Sequence, residues 1–498
     1  MQQLLRIQDA LASDLVDGLL RTHPNDLTTI PDSWTSWWTW AAKTSSALQL
    51  AEDDALPWVR ILNYYCAKLG ITPAESASAV GMSPKKSHEV FRMTAYIASV
   101  IRERGIDPSA ACIVDVGAGQ GYLTRTLQVH LRCRGILALD ADDAQTAGAK
   151  KWEKKLGIED AVTHRTIWIT PSNLLDTIDD WIASMRHSED DVEAIPVFLI
   201  ALHACGSLTP TILRTFVSAT RRQYSNEVSP QTAGAPRPWR PAGLVSVGCC
   251  YNLLRPEDFP MSATLCDHRR NAAPPAPALP ASAFHLATQI PGTWLRTPGA
   301  RADATLAVRK IVWRALLARE FSLRAAPCER APDDQGAPSG ERASDLRKSC
   351  LGTEGTGLKP EMQRLGKLNK KFYDNWGEFV AAAAAKMGFA PAEGRLAQDA
   401  AARRALERQL SVLHTLRCII GPLVESLIVL DRQAWLVEQL NGRHRGGPAD
   451  GPGVDSGAHC AAGGAHAGLG PVTVAIENLF DQATGSGRNM AITALPSS

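Results

Sequence analysis

No charge of either sign dominates this chain of 498 residues. Lys and Arg number 53 against 51 Asp and Glu, a formal net charge of +2. That balance excludes a global pull toward nucleic acid or an anionic membrane, so any basic surface has to be local. The opening stretch, MQQLLRIQDALASDLVDGLL, lacks the uninterrupted apolar core of a signal peptide. No apolar run approaches the roughly 20 residues that span a bilayer. There is no internal repeat, and the cysteines form no disulfide framework. They number eleven, an odd count, and Cys249 and Cys250 are neighbours that cannot easily staple a fold. These absences predict an intracellular protein, cytoplasmic or nuclear, with reduced thiols and no membrane partner. What is present is a core-forming composition, 45% hydrophobic and 21% charged, which rules out global disorder and collagen-like or coiled-coil architecture.

Texture divides the chain. Residues 1–105 read as a helical N-terminal domain, with apolar positions at helical spacing in LLRIQDALASDLVDGLL and VRILNYYCAKLG. The tryptophans of WTSWWTW (Trp34, Trp37, Trp38, Trp40) pack this domain or dock a protein partner; a membrane surface is the other use for such a cluster. MSPKKSHEVFRMTAYIASVIRERG predicts a helix capped by Ser83, opened by Pro84 and ended by Gly105. From residue 106 short apolar runs alternate with helical segments: ACIVDVG, GILALD, VTHRTIWI, PVFLIAL and AGLVSVG. Alternation of this kind predicts an α/β, Rossmann-like sheet with ligands at the carboxyl ends of its strands. A long insertion is expected at about 255–405. SLIVLD (Ser426 to Asp431) and NMAITAL (Asn489 to Leu495) then read as returning strands, and the Gly- and Ala-rich segment at about 441–470 as a disordered loop.

The strongest chemical signal is Asp115-Val-Gly117-Ala-Gly119-Gln-Gly121, directly after a predicted strand and before a predicted helix. Glycines at alternate positions let the backbone turn sharply and approach a ligand without a Cβ in the way. The register is not the G-x-G-x-x-G of dinucleotide sites, which argues against a dehydrogenase. The next strand ends in Asp140, whose carboxylate can accept from both hydroxyls of a ribose. Together, Asp115, Gly117, Gly119, Gly121 and Asp140 resemble the S-adenosylmethionine site of class I methyltransferases. Ordinary structural glycines in a strand-turn-helix are the plainer alternative.

Two strand ends carry reactive side chains. PVFLIAL runs into His203-Ala-Cys205-Gly206, and AGLVSVG into Cys249-Cys250-Tyr251-Asn252. His203 is the candidate base, since imidazole titrates near neutrality. Tyr251 can stack on or hydrogen-bond a planar acceptor. Plainer roles are a loop-shaping histidine and small buried cysteines. Cysteine attack on a pyrimidine is disfavoured because neither strand end places its cysteine after a proline, and the Asn/Asp-Pro-Pro-Tyr/Phe motif for exocyclic amines is missing too. A zinc set of Cys249, Cys250, Cys266 and His268 is weighed and set aside because adjacent cysteines are awkward ligands; the expectation is no metal.

Several patches fall in one order: MSPKKSHEV, DVGAGQGYLTRTL, LHACGSLT, VGCCYNLL, FPMS (Phe259 to Ser262), VESLIVLDR and LFDQATGSGRN. They resemble the methyltransferase-like protein 25 family, of the ribosomal RNA adenine dimethylase domain-containing type, in patches over about residues 58 to 498. The resemblance implies S-adenosylmethionine as cofactor, and it makes Lys85, Lys86 and His88 candidates for the substrate-binding rim. HACG with the later CCY is also similar to elements of tRNA 2′-O-methyltransferases, which implies RNA as the acceptor. Tyr251 and Asn252 stand where that pattern has two histidines. A protein or small-molecule methyltransferase and a non-catalytic scaffold of the same fold are the competing readings.

Overall fold

The computed structural model describes residues 1–25, 30–43, 82–185, 193–224, 238–325, 365–387, 399–442, 471–480, 487 and 489–497. The VRILNYYCAKLG helix and nearly all of the 441–470 loop lie outside them. The chain falls into two compact units. One comprises Met1–Arg21, Asp53–Thr293 and Arg417–Ser498; the other Thr22–Glu52 and Trp294–Leu416.

The first unit is built on a seven-stranded sheet in the order β3-β2-β1-β4-β5-β7-β6. Its strands are β1 (Cys112–Val116), β2 (Gly135–Asp140), β3 (Val162–Thr166), β4 (Ile195–Cys205), β5 (Trp239–Cys249), β6 (Val472–Asn478) and β7 (Met490–Pro496). The first five are parallel, whereas β7 pairs antiparallel with β5 and β6. Every residue of β1 is buried, as a central parallel strand with both faces covered requires. This is the Rossmann-like α/β fold that the alternation of apolar runs predicts.

The Pro84–Glu103 helix forms as its sequence suggests. The Ser83 hydroxyl accepts from the Lys86 amide at 3.3 Å, and Gly105 takes φ +63° just past the end. Val90, Met93, Ile97 and Ile101 recur at helical spacing and pack with Ile113, Phe198 and Val245 of the sheet. Each such side chain contributes about 1.5–3 kcal/mol when fully buried. The helix therefore lies against the sheet, with its amino end at the carboxyl ends of the strands.

Two expectations need correction. Ser426–Asp431 is not a strand; it lies inside a helix running Ala400–Asn441. Leu427, Ile428, Val429, Asp431 and Arg432 are all buried, so the run is apolar because it is enclosed, and a short enclosed run has no period to separate helix from strand. The sheet is completed instead by β6, which follows the low-complexity stretch. The second correction concerns length. The Ala400–Asn441 helix has an 18-residue window with mean hydropathy 1.6, enough to cross a membrane by length and composition, and 83% of that window is buried inside the protein.

The second unit is held by aromatic packing. Trp313 lies 6.1 Å from Tyr373, 5.5 Å from Trp376 and 5.4 Å from Phe379, centroid to centroid. Trp34 and Trp38 are buried while Trp40 is 41% exposed. The Gln409 amide donates to the Trp38 carbonyl at 3.0 Å.

Candidate active site

The glycine loop joins β1 to the Tyr122–Leu131 helix. Gly117, Gly119 and Gly121 have φ of +79°, +56° and +65°, so each uses backbone that other residues avoid. The Gly117 and Ala118 amides donate to the Leu139 carbonyl at 2.8 and 3.0 Å. The Gly119 amide donates to Asp140 Oδ2 at 2.8 Å, and the Asp142 amide to Oδ1 at 2.9 Å. Asp140 thus ties the loop to the end of β2. A carboxylate has roughly four acceptor positions, which leaves capacity for a ribose.

Asp115 sits behind the loop, 1% exposed, and Thr124 Oγ1 donates to its Oδ2 at 2.7 Å. Burial pushes its carboxyl up to about 6, Thr124 opposes this, and the nearby Asp140 carboxylate adds to the rise. The five residues of the proposed cofactor cradle therefore meet at one place. A Cβ added to Gly119 would touch nothing within 4 Å, so space lies open on that side of the loop. Backbone turned to an open space beside a carboxylate fits S-adenosylmethionine.

Beside the cradle, His203 lies two residues before the carboxyl end of β4. Its Nε2 is 2.5 Å from Lys86 Nζ and 3.1 Å from Glu89 Oε2, and Lys86 Nζ is 3.0 Å from the same carboxylate oxygen. The same ring nitrogen thus faces an ammonium, which can only donate, and a carboxylate, which can only accept: it accepts from Lys86 when bare and donates to Glu89 when it carries the proton. Glu89 is 1% exposed. A carboxylate in the apolar stripe of Glu89, Met93 and Ile97, on one helix face with Lys85, is a signal the sequence itself carries. Lys85 reaches the same carboxylate at 3.7 Å from an exposed position. The His88 ring packs edge-on against Phe480 at 6.4 Å.

Cys205 and Cys249 end β4 and β5 in register, with their sulfurs 3.3 Å apart. The Cys249 hydrogen bond lowers the Cys205 thiol to about 6 against the effect of burial, and it raises Cys249. Tyr251, expected to face the acceptor, is 1% exposed; the Arg432 guanidinium lies 5.6 Å from its ring centroid. Enclosed in this way, Tyr251 shapes the floor of the site and has no face left for an acceptor base. Trp168, two residues beyond β3, is 78% exposed, and the Ile167 amide before it donates to the Asp140 carbonyl at 2.8 Å. The loop after β3 thus presents a bare indole beside the cradle.

Residues 85–226 match the family model of a methyltransferase domain. The chain therefore carries a methyltransferase domain, whose matched region runs from Lys85 through the glycine loop and Asp140 to His203 and Cys205. Among solved structures, the chain is similar to a putative sarcosine dimethylglycine methyltransferase from Galdieria sulphuraria, at 16% identity and a TM-score of 0.21, over 32% of this chain and 47% of that one. It is also similar to geranyl diphosphate C-methyltransferase from Streptomyces coelicolor A3(2), at 15% identity and 0.21, over 39% and 65%. A third is coclaurine N-methyltransferase, at 13% and 0.20, over 48% and 63%. The chain spans about half the length of the first of these.

Proposed function

We propose that the protein is an S-adenosylmethionine-dependent methyltransferase acting on RNA, of the methyltransferase-like protein 25 type. The observation that carries this reading is the cradle of Gly117, Gly119 and Gly121 with Asp140, opening beside His203. When bound, the cofactor supplies an electrophilic methyl group on a sulfonium with a good thioether leaving group. The protein's part is alignment and proton removal. Asp140 holds the ribose hydroxyls, and the loop amides and glycines admit the cofactor closely. His203 Nε2 takes the proton of the acceptor group, with Glu89 and Lys86 setting the position of the ring.

RNA is favoured by cations and an aromatic at the same edge. Lys85 and Lys86 stand at the amino end of their helix, and a backbone phosphate there would draw Lys86 away from His203 and bare Nε2. Trp168 offers a face on which any base can stack. We propose a cytoplasmic or nuclear site of action for this activity, and the exposed Trp40 edge is the surface we assign to a protein partner.

Calorimetric titration with S-adenosylmethionine and S-adenosylhomocysteine, repeated on Asp140→Ala, tests the cofactor half. Micromolar binding lost in the variant is the expected result; no binding by the unaltered protein refutes it. Transfer of labelled methyl from the cofactor to total RNA tests the acceptor half, and label found only in protein or small molecules refutes RNA.

A further inference from the structure

Three thiols meet at the carboxyl end of the sheet. The sulfurs of Cys205, Cys249 and Cys250 all lie within 4.8 Å of one another. In an extended strand, neighbouring side chains point to opposite faces, so adjacent cysteines should diverge. Here Cys250 adopts φ +49°, ψ +47°, a left-handed turn that ends β5 and folds its thiol back toward Cys249. The register of β4 on β5 brings Cys205 opposite Cys249. The arrangement is thus made by one strand pairing and one unusual backbone residue.

We infer that Cys205, Cys249 and Cys250 form a binding site for a thiophilic divalent cation, of which Zn²⁺ is the chemically expected one. Zinc–sulfur bonds of about 2.3 Å separate three thiolates around one ion by roughly 3.8 Å, which the sulfur spacing accommodates. Soft thiolates select zinc over magnesium or calcium. Binding is Zn²⁺ plus three thiols giving a tris-thiolate complex and three protons released to solvent, with no change of oxidation state. That complex carries one negative charge. Arg432 supplies the counter-charge: it is 1% exposed, and its Nε, Nη1 and Nη2 have no hydrogen-bond partner among the described residues. Its Nη1 lies 2.9 Å from where a Cβ on Gly248 would sit, one residue before Cys249. Cys205 is exposed, so a fourth ligand can enter from that side. The other two candidates from the sequence are engaged elsewhere. Cys266 Sγ faces the Pro260 carbonyl at 4.0 Å, and His268 Nε2 lies 2.6 Å from Asp9.

The site needs neither cofactor nor acceptor, so its test is separate from that of methyl transfer. The full-length protein, reduced and stripped of metal, is titrated with Co²⁺ and then Zn²⁺ while the thiolate-to-cobalt charge-transfer absorption is followed. The expected result is one equivalent of Co²⁺ with that absorption, displaced by Zn²⁺. In C205S, C249S and C250S the affinity falls at least about tenfold. C266S binds as before, and so does the variant in which Cys66, Cys328, Cys350 and Cys460 are all changed to Ser. Arg432→Met weakens binding without altering the spectrum. Circular dichroism and urea unfolding confirm that each variant is folded; C205S, altered at an exposed position, keeps the test informative if changes at Cys249 prevent folding. Absence of the charge-transfer band in the unaltered protein overturns the inference, as does full metal uptake by C205S.

Discussion

The glycines of the cradle divide their work between ligand and fold, and two single substitutions separate the roles. Gly119 and Gly121 both have left-handed backbone, which costs an alanine roughly 1–2 kcal/mol at either position. Their surroundings differ. A Cβ on Gly119 meets nothing within 4 Å, whereas one on Gly121 would lie 2.9 Å from the Ala149 Cβ and 3.3 Å from Glu153 Oε1. Ala149 and Glu153 belong to the Asp143–Leu156 helix and are buried, so they have little freedom to give way. Overpacking of this kind costs about 1–3 kcal/mol more. Gly121→Ala should therefore destabilise the protein by about 2–5 kcal/mol, and Gly119→Ala by about 1–2 kcal/mol. Cofactor binding should fall in the opposite order. The Cβ of Gly119→Ala enters the space assigned to the cofactor and should weaken S-adenosylhomocysteine at least about tenfold, or 1.4 kcal/mol. Gly121→Ala, where folded, should bind within a few-fold of the unaltered protein. Urea midpoints at constant m-value and calorimetric affinities give the four numbers. Equal destabilisation by both variants, or loss of affinity confined to Gly121→Ala, would refute the division.

Asp115 gives a pH prediction of definite sign. Its carboxyl is raised from 3.8 to about 6 in the folded protein, so between those values the folded state holds more protons than the unfolded one. Stability from this group is full below pH 3.8 and declines as pH rises through about 6, by about 3 kcal/mol in all. Asp115→Asn, which keeps an acceptor for Thr124, should remove that decline; urea unfolding at pH 4.5 and 7.5 compares the slopes, and parallel curves for the two proteins would count against the assignment. His203→Ala should lower methyl-transfer kcat about a hundredfold while cofactor affinity stays put, checked by single-turnover transfer beside calorimetry; an unchanged kcat removes His203 as the base. Trp168→Ala should weaken single-stranded RNA by about 1–3 kcal/mol, the worth of one stacked base. Fluorescence anisotropy at fixed salt reads it, and undiminished binding rules the indole out as a stacking platform.

Much of the sheet is legible in the sequence because parallel strands are short, apolar and punctuated by glycine or a carboxylate. β1, β2 and the loop between β1 and its helix are of this kind, and they carry the cradle. What escapes is of two sorts. β6 follows a glycine- and alanine-rich segment and is the edge strand, paired in the sheet with β7, so its Val-Thr-Val alternation is easily absorbed into the loop before it. Ser426–Asp431 is the reverse case, where a strand-like run is helical because the surrounding helix is buried on all sides. The site shows the same split. Gly119 and Asp140 follow from spacing along the chain. Glu89 and Arg432 lie in two different helices, Glu89 114 residues from His203 and Arg432 further still from Tyr251, and only the packing of those helices on the strand ends brings them in.

Asp431 and Arg432 show what that packing is for. They are adjacent, both buried and oppositely charged, yet their treatment differs completely. Asp431 accepts from the Met261 and Ser262 amides at 2.7 and 3.0 Å and from the Ser262 hydroxyl at 2.6 Å. Burial raises its carboxyl to about 6, and these three donors hold it down against that. Through them it fastens the loop after β5 to the Ala400–Asn441 helix. The Arg432 guanidinium has no hydrogen-bond partner among the described residues; it lies over the Tyr251 ring, in the field of the Asp431 and Asp258 carboxylates, and a buried charge whose N–H groups meet no acceptor is costly. Among the described residues, then, one of two buried neighbours is fully hydrogen-bonded and the other carries N–H groups with no acceptor. The nearest use for that guanidinium is the negative charge that the three thiols at the end of β5 acquire on binding a metal ion.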